Sequence, residues 1–268
     1  MTAISASLVK ELRDATGAGM MDCKRALEET GGDVEAARTL LREKGMAQAG
    51  KRAGRATTEG LVGFRGDRAH GTLVAVGCET EPVSKNEEFR AFAEAVLAAV
   101  DAGGPGAVEA LEGARVALVA KLGENVAVVG AERYDAVAGE TVTAYVHPPA
   151  NKIGVLVKVA GGTPELTRQL AMHISFAAPE WSRREDVPAD LLAGEREIYL
   201  HSDEVLSKPE AAREKIVDGM LAKRFFAAQP GGVLADQPWI HEPAKTVGQA
   251  FTEAGASVVA FRRLSVAG

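Results

Sequence analysis

The sequence contains few cysteines, few aromatic residues and no long apolar run. Only two cysteines, Cys23 and Cys78, occur among 268 residues, and they lie far apart. Disulfide frameworks and zinc sites need more ligands at closer spacing, so both are predicted to be reduced thiols in a cytoplasmic protein. No stretch reaches the roughly 20 apolar residues of a membrane-spanning helix, and no signal-peptide core is visible. We therefore expect no membrane association.

Basic residues are not in excess either. The 31 lysines and arginines are outnumbered by 37 aspartates and glutamates, which gives a net charge of −6. Proteins that bind duplex DNA gain affinity by neutralising phosphates, so this balance argues against a specific nucleic-acid partner. The most basic stretch contains Lys44, Lys51, Arg52 and Arg55 but no aromatic residue that could stack on bases. We expect the partner to be another protein.

Motifs for catalysis and for metal or phosphate binding are absent. The sequence has no GxxxxGK[ST] loop, no HExxH, no CxxC and no GxSxG. Of the scattered histidines, His173 lies in the helical segment AMHIS and is predicted to be a satisfied core or boundary residue. Glu79 and Glu81 have no nucleophile or matching acid nearby. We therefore expect no enzymatic activity, no catalytic residue, no cofactor and no bound metal.

Residues 1–45 are predicted to form a small bundle of three helices. Apolar residues recur at helical spacing in three stripes: Leu8, Val9, Leu12; Met20, Cys23, Ala26, Leu27; and Val34, Ala37, Leu40, Leu41. Asp33 is a predicted N-cap, and the third helix is predicted to end at Gly45. This spacing resembles the ubiquitin-associated type of three-helix fold. Residues 46–56, rich in Ala, Gly, Lys and Arg, are predicted to be a linker that can be partly helical.

An internal repeat follows the linker. TTEGLVGFRGDRAHGTLVAVGCETEP at 57–82 is similar to GETVTAYVHPPANKIGVLVKVAGGTP at 139–164, and each is predicted to be a β-hairpin. ARVALVAKLGENVAVVGAERY is likewise similar to KTVGQAFTEAGASVVAFRRLSV. In both of these segments a helix ends at a glycine, Gly123 or Gly255, and leads into a strand.

The predicted fold class is α+β. The three-helix bundle, similar to the ubiquitin-associated fold, precedes a duplicated β-β-α-α-β core with antiparallel sheets, at 57–138 and 139–268. The second copy carries an insertion at about 186–228, where apolar stripes on both sides of a break at SKP predict a projecting antiparallel helical hairpin. A duplicated domain without a cofactor motif is more typical of a binding platform than of an enzyme.

Many short segments occur in the order found in one protein family. They include LRDATGAGMMDCKRALEETGGDVEAA, VGCETEPVSKNEEF, RVALVAKLGENV, KPEAAREKIVDGML, DQPWI and KTVGQ. Together they resemble bacterial translation elongation factor Ts over essentially the whole chain. The resemblance implies guanine-nucleotide exchange on elongation factor Tu, a GTPase, by disturbing its magnesium and phosphate site so that GDP leaves. It also implies that this chain binds no nucleotide itself, in agreement with the missing phosphate loop.

The resemblance also implies which residues contact the GTPase. Met20 and Met21 match the family's GMM segment, and Leu122 and Gly123 match a second contact segment in KLGEN. His147 corresponds to a histidine in the second half of the core. Each of these positions also has a purely structural interpretation. Gly123 can be a helix cap, His147 a turn residue, and only one of two consecutive methionines is expected to be exposed.

Thr80, Glu81, Pro82 and Val83 belong to the predicted contact residues, but this loop departs from the family pattern. The family has CxTDFV, whose acid and aromatic residues insert beside the GTPase switch region, whereas this chain has CETEPV. Glu81 keeps the charge, and Pro82 lacks the aromatic anchor. Two interpretations stay open: exchange at a reduced rate, or a divergent paralogue that binds the GTPase and exchanges poorly. A ubiquitin-associated-type adaptor is a third, which leaves the duplicated core unexplained.

Overall fold

A computed structural model describes residues 4–267. Its first three helices, α1 (Ala6–Thr16), α2 (Met20–Glu29) and α3 (Val34–Arg52), form the N-terminal bundle. The bundle core contains the buried residues Val9, Leu12, Cys23, Ala26, Leu27 and Ala37. The Ser5 hydroxyl accepts a hydrogen bond from the Leu8 amide at the start of α1, and the predicted cap Asp33 accepts one from Ala36 at the start of α3.

Two details of the predicted bundle are wrong. Helix α3 continues beyond Gly45 to Arg52, because its second half packs on the core that follows. A Cβ atom added to Gly45 would lie 3.3 Å from the Cβ of Ala120, so the missing side chain permits a close helix contact there. Met20, which the stripe predicted to face the bundle core, is 46% exposed. The division of the chain at residues 45 and 56 stays a prediction.

The first copy of the repeat is a three-stranded sheet covered by helices on one face. In chain order its elements are β1 (Glu59–Gly66), β2 (His70–Cys78), α4 (Glu81–Ser84), α5 (Glu87–Gly103), α6 (Glu112–Leu122) and β3 (Val126–Asp135). The strand order is β1-β2-β3, and both pairs are antiparallel. Alternation along β2 separates two cores, because Val74 and Val76 face the helices while Leu73 and Ala75 face the other side.

The second copy repeats this arrangement and adds the insertion. Its elements are β4 (Glu140–Val146), β5 (Ile153–Ala160), α7 (Pro164–Ala177), α8 (Ala189–Leu200), α9 (Asp203–Leu206), α10 (Glu210–Met220), β6 (Pro238–Trp239), β7 (Glu242–Thr246), α11 (Val247–Glu253) and β8 (Ser257–Ser265). The main sheet has the antiparallel order β4-β5-β8, and β6 pairs with β7. The predicted α+β fold with a duplicated core is confirmed.

The two main sheets pack face to face and share one apolar layer. Its buried members are Val62, Leu73, Ala75, Val142, Leu156, Leu264 and Val266. Glycines at the crossing points permit the close approach of the strands. A Cβ atom added to Gly154 would lie 2.5 Å from Cγ1 of Val62, and one added to Gly130 would lie 2.6 Å from Cδ2 of Leu264. The common layer fixes the positions of the loops at the edges of both sheets.

The insertion is an antiparallel helical hairpin, as the apolar stripes predicted. Arg196 of α8 lies 2.7 Å from Glu214 and 2.8 Å from Asp218, both on α10. Val205, Val217 and other apolar residues fill the space between the arms, and α10 runs directly into a π-helical turn at Leu221–Phe226. The apolar sequence before the SKP break predicts that Leu206 also contributes to this core, but Leu206 is exposed. Among residues 4–267, no helix combines the length and apolarity that crossing a membrane requires.

His173 is a fully buried residue of α7, as predicted. Its Nε2 donates a hydrogen bond to Oε1 of Gln237 at 2.9 Å, and its Nδ1 accepts one from the Ile240 amide at 3.4 Å. The ring also packs against Trp239, with 5.2 Å between the centroids. Burial lowers the pKa of His173 to about 4, so the ring is neutral at pH 7. This pair of bonds holds the chain that returns from the insertion against α7.

Candidate partner-binding site

The polar loop predicted to contact a partner connects β2 to α4. Thr80 is the N-cap residue of α4, and Glu81 and Pro82 are its first two residues. Pro82 is compatible with this position, because the amides of a first helical turn have no partner within the helix. Thr80, Glu81 and Pro82 are exposed, whereas Val83 is half-buried against the core of the first copy. The loop therefore presents a short helical turn anchored by one apolar side chain.

Side-chain carboxylates continue the ladder between β2 and β3 beyond its last main-chain pair, which joins Cys78 to Val126. At the next position, Oε1 of Glu79 accepts a hydrogen bond from the Asn125 amide at 2.7 Å. One position further, Oε2 of Glu124 accepts the Thr80 amide at 3.0 Å, and its Oε1 accepts the Thr80 hydroxyl. We call these four residues, Glu79, Thr80, Glu124 and Asn125, the carboxylate clamp.

The carboxylate clamp is anchored in the body of the protein. Asn125 is only 3% exposed, and its Nδ2 donates to the carbonyl oxygen of Arg55 at 2.8 Å. The Arg55 guanidinium lies 3.4 Å from the carboxylate of Glu79. Below the loop, the Cys78 thiol donates to the carbonyl oxygen of Thr80, and burial raises the pKa of this thiol to about 12. Cys78 is thus an unreactive donor that also restrains the loop.

Glu81 is a charged side chain at the edge of a groove. Its carboxylate lies 2.7 Å from Nζ of Lys85, and this hydrogen bond holds the pKa of Glu81 below its usual range. The groove has a volume of about 850 Å³. Its lining includes Glu81 and Lys85 of the polar loop, residues 59–63 of β1 and residues 149–152 of the β4–β5 turn. Glu81 therefore presents a negative charge on an open surface.

Leu122 and Gly123 lie directly before the carboxylate clamp. Leu122 ends α6 and packs on the core of the first copy, while Gly123 adopts the left-handed conformation with φ of 77°. A Cβ atom at Gly123 would meet nothing within 4 Å, so this turn is open to a partner. Glu124 follows immediately and bonds to Thr80. The two predicted contact segments are therefore held next to each other.

Met20 and Met21 lie at the exposed start of α2, close to the same region. Met21 is 63% exposed, so both methionines lie on the surface. The turn before α2 packs on α6, since a Cβ atom at Gly17 would lie 3.1 Å from Cδ of Lys121. Nζ of Lys121 in turn lies 2.7 Å from Glu88 at the start of α5. The N-terminal bundle thus places its methionine pair beside the end of α6.

His147 is placed apart from the other predicted site residues. It is exposed at the end of β4, where its Nδ1 lies 3.0 Å from the Tyr145 hydroxyl. Its amide donates to the carbonyl oxygen of Ile153 at 2.9 Å, which closes the β4–β5 turn. That turn continues into residues 149–152, which line the same groove as Glu81. His147 is therefore joined to the groove by the turn that follows it.

Sequence reasoning missed the residues that hold the polar loop. The sequence shows Glu79 only as a carboxylate without a nucleophile or matching acid nearby, presents Arg55 only as part of a basic stretch, and gives no local signal for Glu124 or Asn125. The predicted antiparallel sheet was the one available signal, because continuing the pairing of β2 with β3 by one residue brings Glu79 opposite Asn125. Such a prediction needed the register of β2 against β3, which the sequence did not specify.

Comparison with known proteins places the chain in a family. Residues 79–268 match the family model described as Elongation factor TS. The chain is 43% identical over 275 residues to Elongation factor Ts of Thioalkalivibrio sulfidiphilus, with 98% of this chain and 92% of the relative covered. It is 45% identical over 268 residues to that of Shewanella amazonensis, with 98% and 91% covered. For one Escherichia coli relative the identity is 41% over 270 residues, with 99% and 92% covered. The chain therefore belongs to the elongation factor Ts family.

Proposed function

We propose that this translation elongation factor is a guanine-nucleotide exchange factor that binds elongation factor Tu and promotes the release of GDP. The observation that carries the proposal is the exposed turn Thr80–Val83, held beside Leu122 and Gly123 on the surface of a family member. The groove holds no motif for nucleotide phosphates, so the nucleotide involved belongs to the partner. The chain acts by binding.

The proposed contact surface has three parts. Met20 and Met21 provide flexible apolar side chains, which adapt well to a protein interface. The turn Thr80–Val83 with Leu122 and Gly123 provides a second part, in which the main chain is exposed and rigidly held. His147, directly after β4, provides the third. A partner that contacts all three would be held at separate points, so binding energy could be used to distort it.

Negative coupling between the exchange factor and GDP explains how binding would release the nucleotide. If the factor binds the nucleotide-free GTPase more tightly than its GDP form, it weakens GDP binding by the same factor. The magnesium ion is the largest positive charge at the partner's phosphate site. The charged Glu81 carboxylate, presented at the start of α4, would disfavour the arrangement of phosphates and metal near it. No covalent bond changes, so the proposed function requires no catalytic residue, cofactor or metal in this chain.

The direct test measures release of a fluorescent GDP analogue, mant-GDP, from the cognate elongation factor Tu in a stopped-flow instrument. We expect the release rate to rise with the concentration of this chain and to reach a plateau, because the chain must bind before the nucleotide leaves. The variant Glu210→Ala, which changes an exposed residue of α10 away from the proposed surface, serves as the control. A release rate that is independent of the chain's concentration would contradict the proposal.

Pro82 favours one second candidate, a paralogue that binds the GTPase and exchanges poorly. Proline offers less apolar area than an aromatic anchor. We predict that Pro82→Phe raises the maximal rate of mant-GDP release several-fold, because a ring at this exposed position can insert beside the switch region. Pro82→Ala separates the effect of the ring from that of losing proline. The paralogue would be supported instead if the wild type bound nucleotide-free GTPase tightly while neither the wild type nor Pro82→Phe accelerated mant-GDP release.

A further inference from the structure

We propose that the carboxylate clamp positions the turn Glu81–Val83 for nucleotide exchange, with Glu124 as the positioning residue. This inference rests on the proposed function and extends it to Glu79, Glu124 and Asn125, which do not themselves need to contact the partner. Glu124 is one residue beyond the predicted contact segment Leu122–Gly123. It receives two hydrogen bonds from Thr80, the residue that immediately precedes the exposed turn.

The geometry of these bonds restrains the direction of the turn. Glu124 accepts both the amide and the hydroxyl of Thr80, so a single carboxylate fixes the main chain and the side chain of the residue that starts α4. Hydrogen bonds to a charged acceptor are stronger than neutral ones. Helix α4 has only four residues and cannot hold its own direction against solvent. Its orientation therefore depends on the groups that bind its N-cap residue Thr80, together with the packing of Val83 on the core.

The carboxylate clamp also joins two contact segments into one unit. Glu79 accepts the Asn125 amide from the β2 side, and Glu124 accepts the Thr80 amide from the β3 side. The two hydrogen bonds run in opposite directions between the segments, so they couple the loop after β2 to the turn after α6. Asn125 then bonds to the Arg55 carbonyl and fixes both to the end of the N-terminal region. The turn Glu81–Val83 and the pair Leu122–Gly123 are thus presented together.

Thr80 would be expected to cap its own helix if stability were the only requirement. An N-cap threonine normally accepts a hydrogen bond from the amide two or three residues later. In Thr80 the hydroxyl donates to Glu124 instead, and no side-chain cap bond is formed in α4. Thr163, which occupies the same position in the second copy, does accept the Leu166 amide at 3.2 Å. In the first copy the threonine hydroxyl is therefore available to orient α4 through Glu124 rather than to cap the helix.

Loss of positioning has a kinetic signature that differs from loss of a contact. The maximal rate of GDP release depends on how well the turn is oriented in the complex. The concentration that gives half of this rate depends mainly on the whole contact surface, which also includes the methionine pair and His147. Removing Glu124 should consequently lower the maximal rate with little change in the half-saturating concentration. A residue that only contacts the partner would mainly raise that concentration.

The test compares Glu124→Ala, Glu124→Gln and Thr80→Val in mant-GDP release from elongation factor Tu. We expect Glu124→Ala to lower the maximal rate about tenfold, because both hydrogen bonds from Thr80 to a charged acceptor are lost and the turn is then less well oriented in the complex. Glu124→Gln keeps an acceptor for the Thr80 amide and should recover most of the rate. Thr80→Val should fall between wild type and Glu124→Ala. Thr163→Val, the matched change in the second copy, should keep the wild-type rate.

Several outcomes would overturn the inference. A wild-type maximal rate in Glu124→Ala would show that no positioning is needed, and an increase in the half-saturating concentration alone would make Glu124 an ordinary contact. If Glu124→Ala fails to fold in a thermal unfolding experiment, a wild-type rate in both Glu124→Gln and Thr80→Val would equally refute it. A wild-type chain that does not accelerate GDP release would refute the proposed function instead, so the two failures are distinguishable.

Discussion

The two copies of the core share one topology, yet they close the same loop in different ways. In both, a central strand ends shortly before a threonine that becomes the N-cap of a helix: β2 ends two residues before Thr80, and β5 ends three residues before Thr163. The first loop reads CETEP and is held by carboxylates. The second reads AGGTP, and its chain packs directly against main-chain atoms.

The second loop is closed by glycine. Gly161 donates its amide to the carbonyl oxygen of Gly139 and has a φ of 71°. A Cβ atom at Gly161 would lie 2.5 Å from the carbonyl oxygen of Gly255, so no side chain fits there. Cys78, at the aligned position of the first copy, does carry a side chain, and the glutamates after it point acceptors across the gap. The comparison teaches that a repeat can keep its backbone while only one copy acquires polar side chains that orient a surface turn.

The largest expected effect is a loss of stability when the close backbone packing of the second loop is disturbed. We predict that Gly161→Ala lowers the free energy of unfolding by about 3 kcal/mol, because the left-handed backbone strain adds to a clash with main-chain atoms. Gly139→Ala is the matched control, since Gly139 has a φ of 86° but open space around its Cα. It should cost only about 1 kcal/mol. Urea unfolding measures both, and equal costs would contradict the packing argument.

A second effect, of similar size, should appear on acidification and arise from α7 of the second copy. His173 is buried and neutral with a pKa near 4, whereas an unfolded histidine titrates near its usual value of 6.5. The unfolded state therefore takes up a proton first as the pH falls. Stability is complete above pH 6.5 and decreases toward pH 4, by about 3 kcal/mol at 1.36 kcal/mol per unit. Helix α5, the corresponding helix of the first copy, contains no histidine and so contributes no such pH dependence to the unfolding free energy.

Measurement of the unfolding free energy at pH 7, 5.5 and 4.5 checks this prediction. Because carboxylates also titrate in this range, the quantity that matters is the difference between wild type and His173→Gln. That variant carries no titratable ring and retains a side chain that can donate to Gln237. His241, which also packs on Trp239, is present in both proteins. Parallel pH profiles would exclude His173 as a source of the acid sensitivity.

The smallest effect concerns the stability of the two threonine caps. We predict that Thr163→Val costs about 1 kcal/mol of unfolding free energy, because α7 loses a side-chain cap that bonds the Leu166 amide. Thr80→Val should cost less, because α4 has no side-chain cap to lose and its threonine is exposed. Thermal unfolding with matched denaturant curves compares the two variants. A larger loss for Thr80→Val would mean that its bond to Glu124 mainly supports the fold.

Local patterns accounted for most of the fold. Helical stripes, glycine breaks and the repeat correctly predicted the α+β class, the duplicated core and the helical hairpin, and burial of His173 was predicted from its helix. The exposed methionine pair was only half predicted, because the apolar stripe placed Met20 in the bundle core, whereas both Met20 and Met21 are exposed. Helix α3 was predicted to end at Gly45, since a glycine that permits helix contact looks like a glycine that ends a helix.

The amino-acid sequence by itself determined where helices and strands form, because the spacing of apolar residues and the capping groups act within a few residues of each other. It also determined the family, through motifs spread along the chain. Only the tertiary structure decided that Glu79 meets Asn125, that Thr80 meets Glu124, and that the β4–β5 turn lines the same groove as Glu81. Residues more than 40 positions apart are brought together by strand register and by the packing of one sheet on the other, and both arise only when the shared core is assembled.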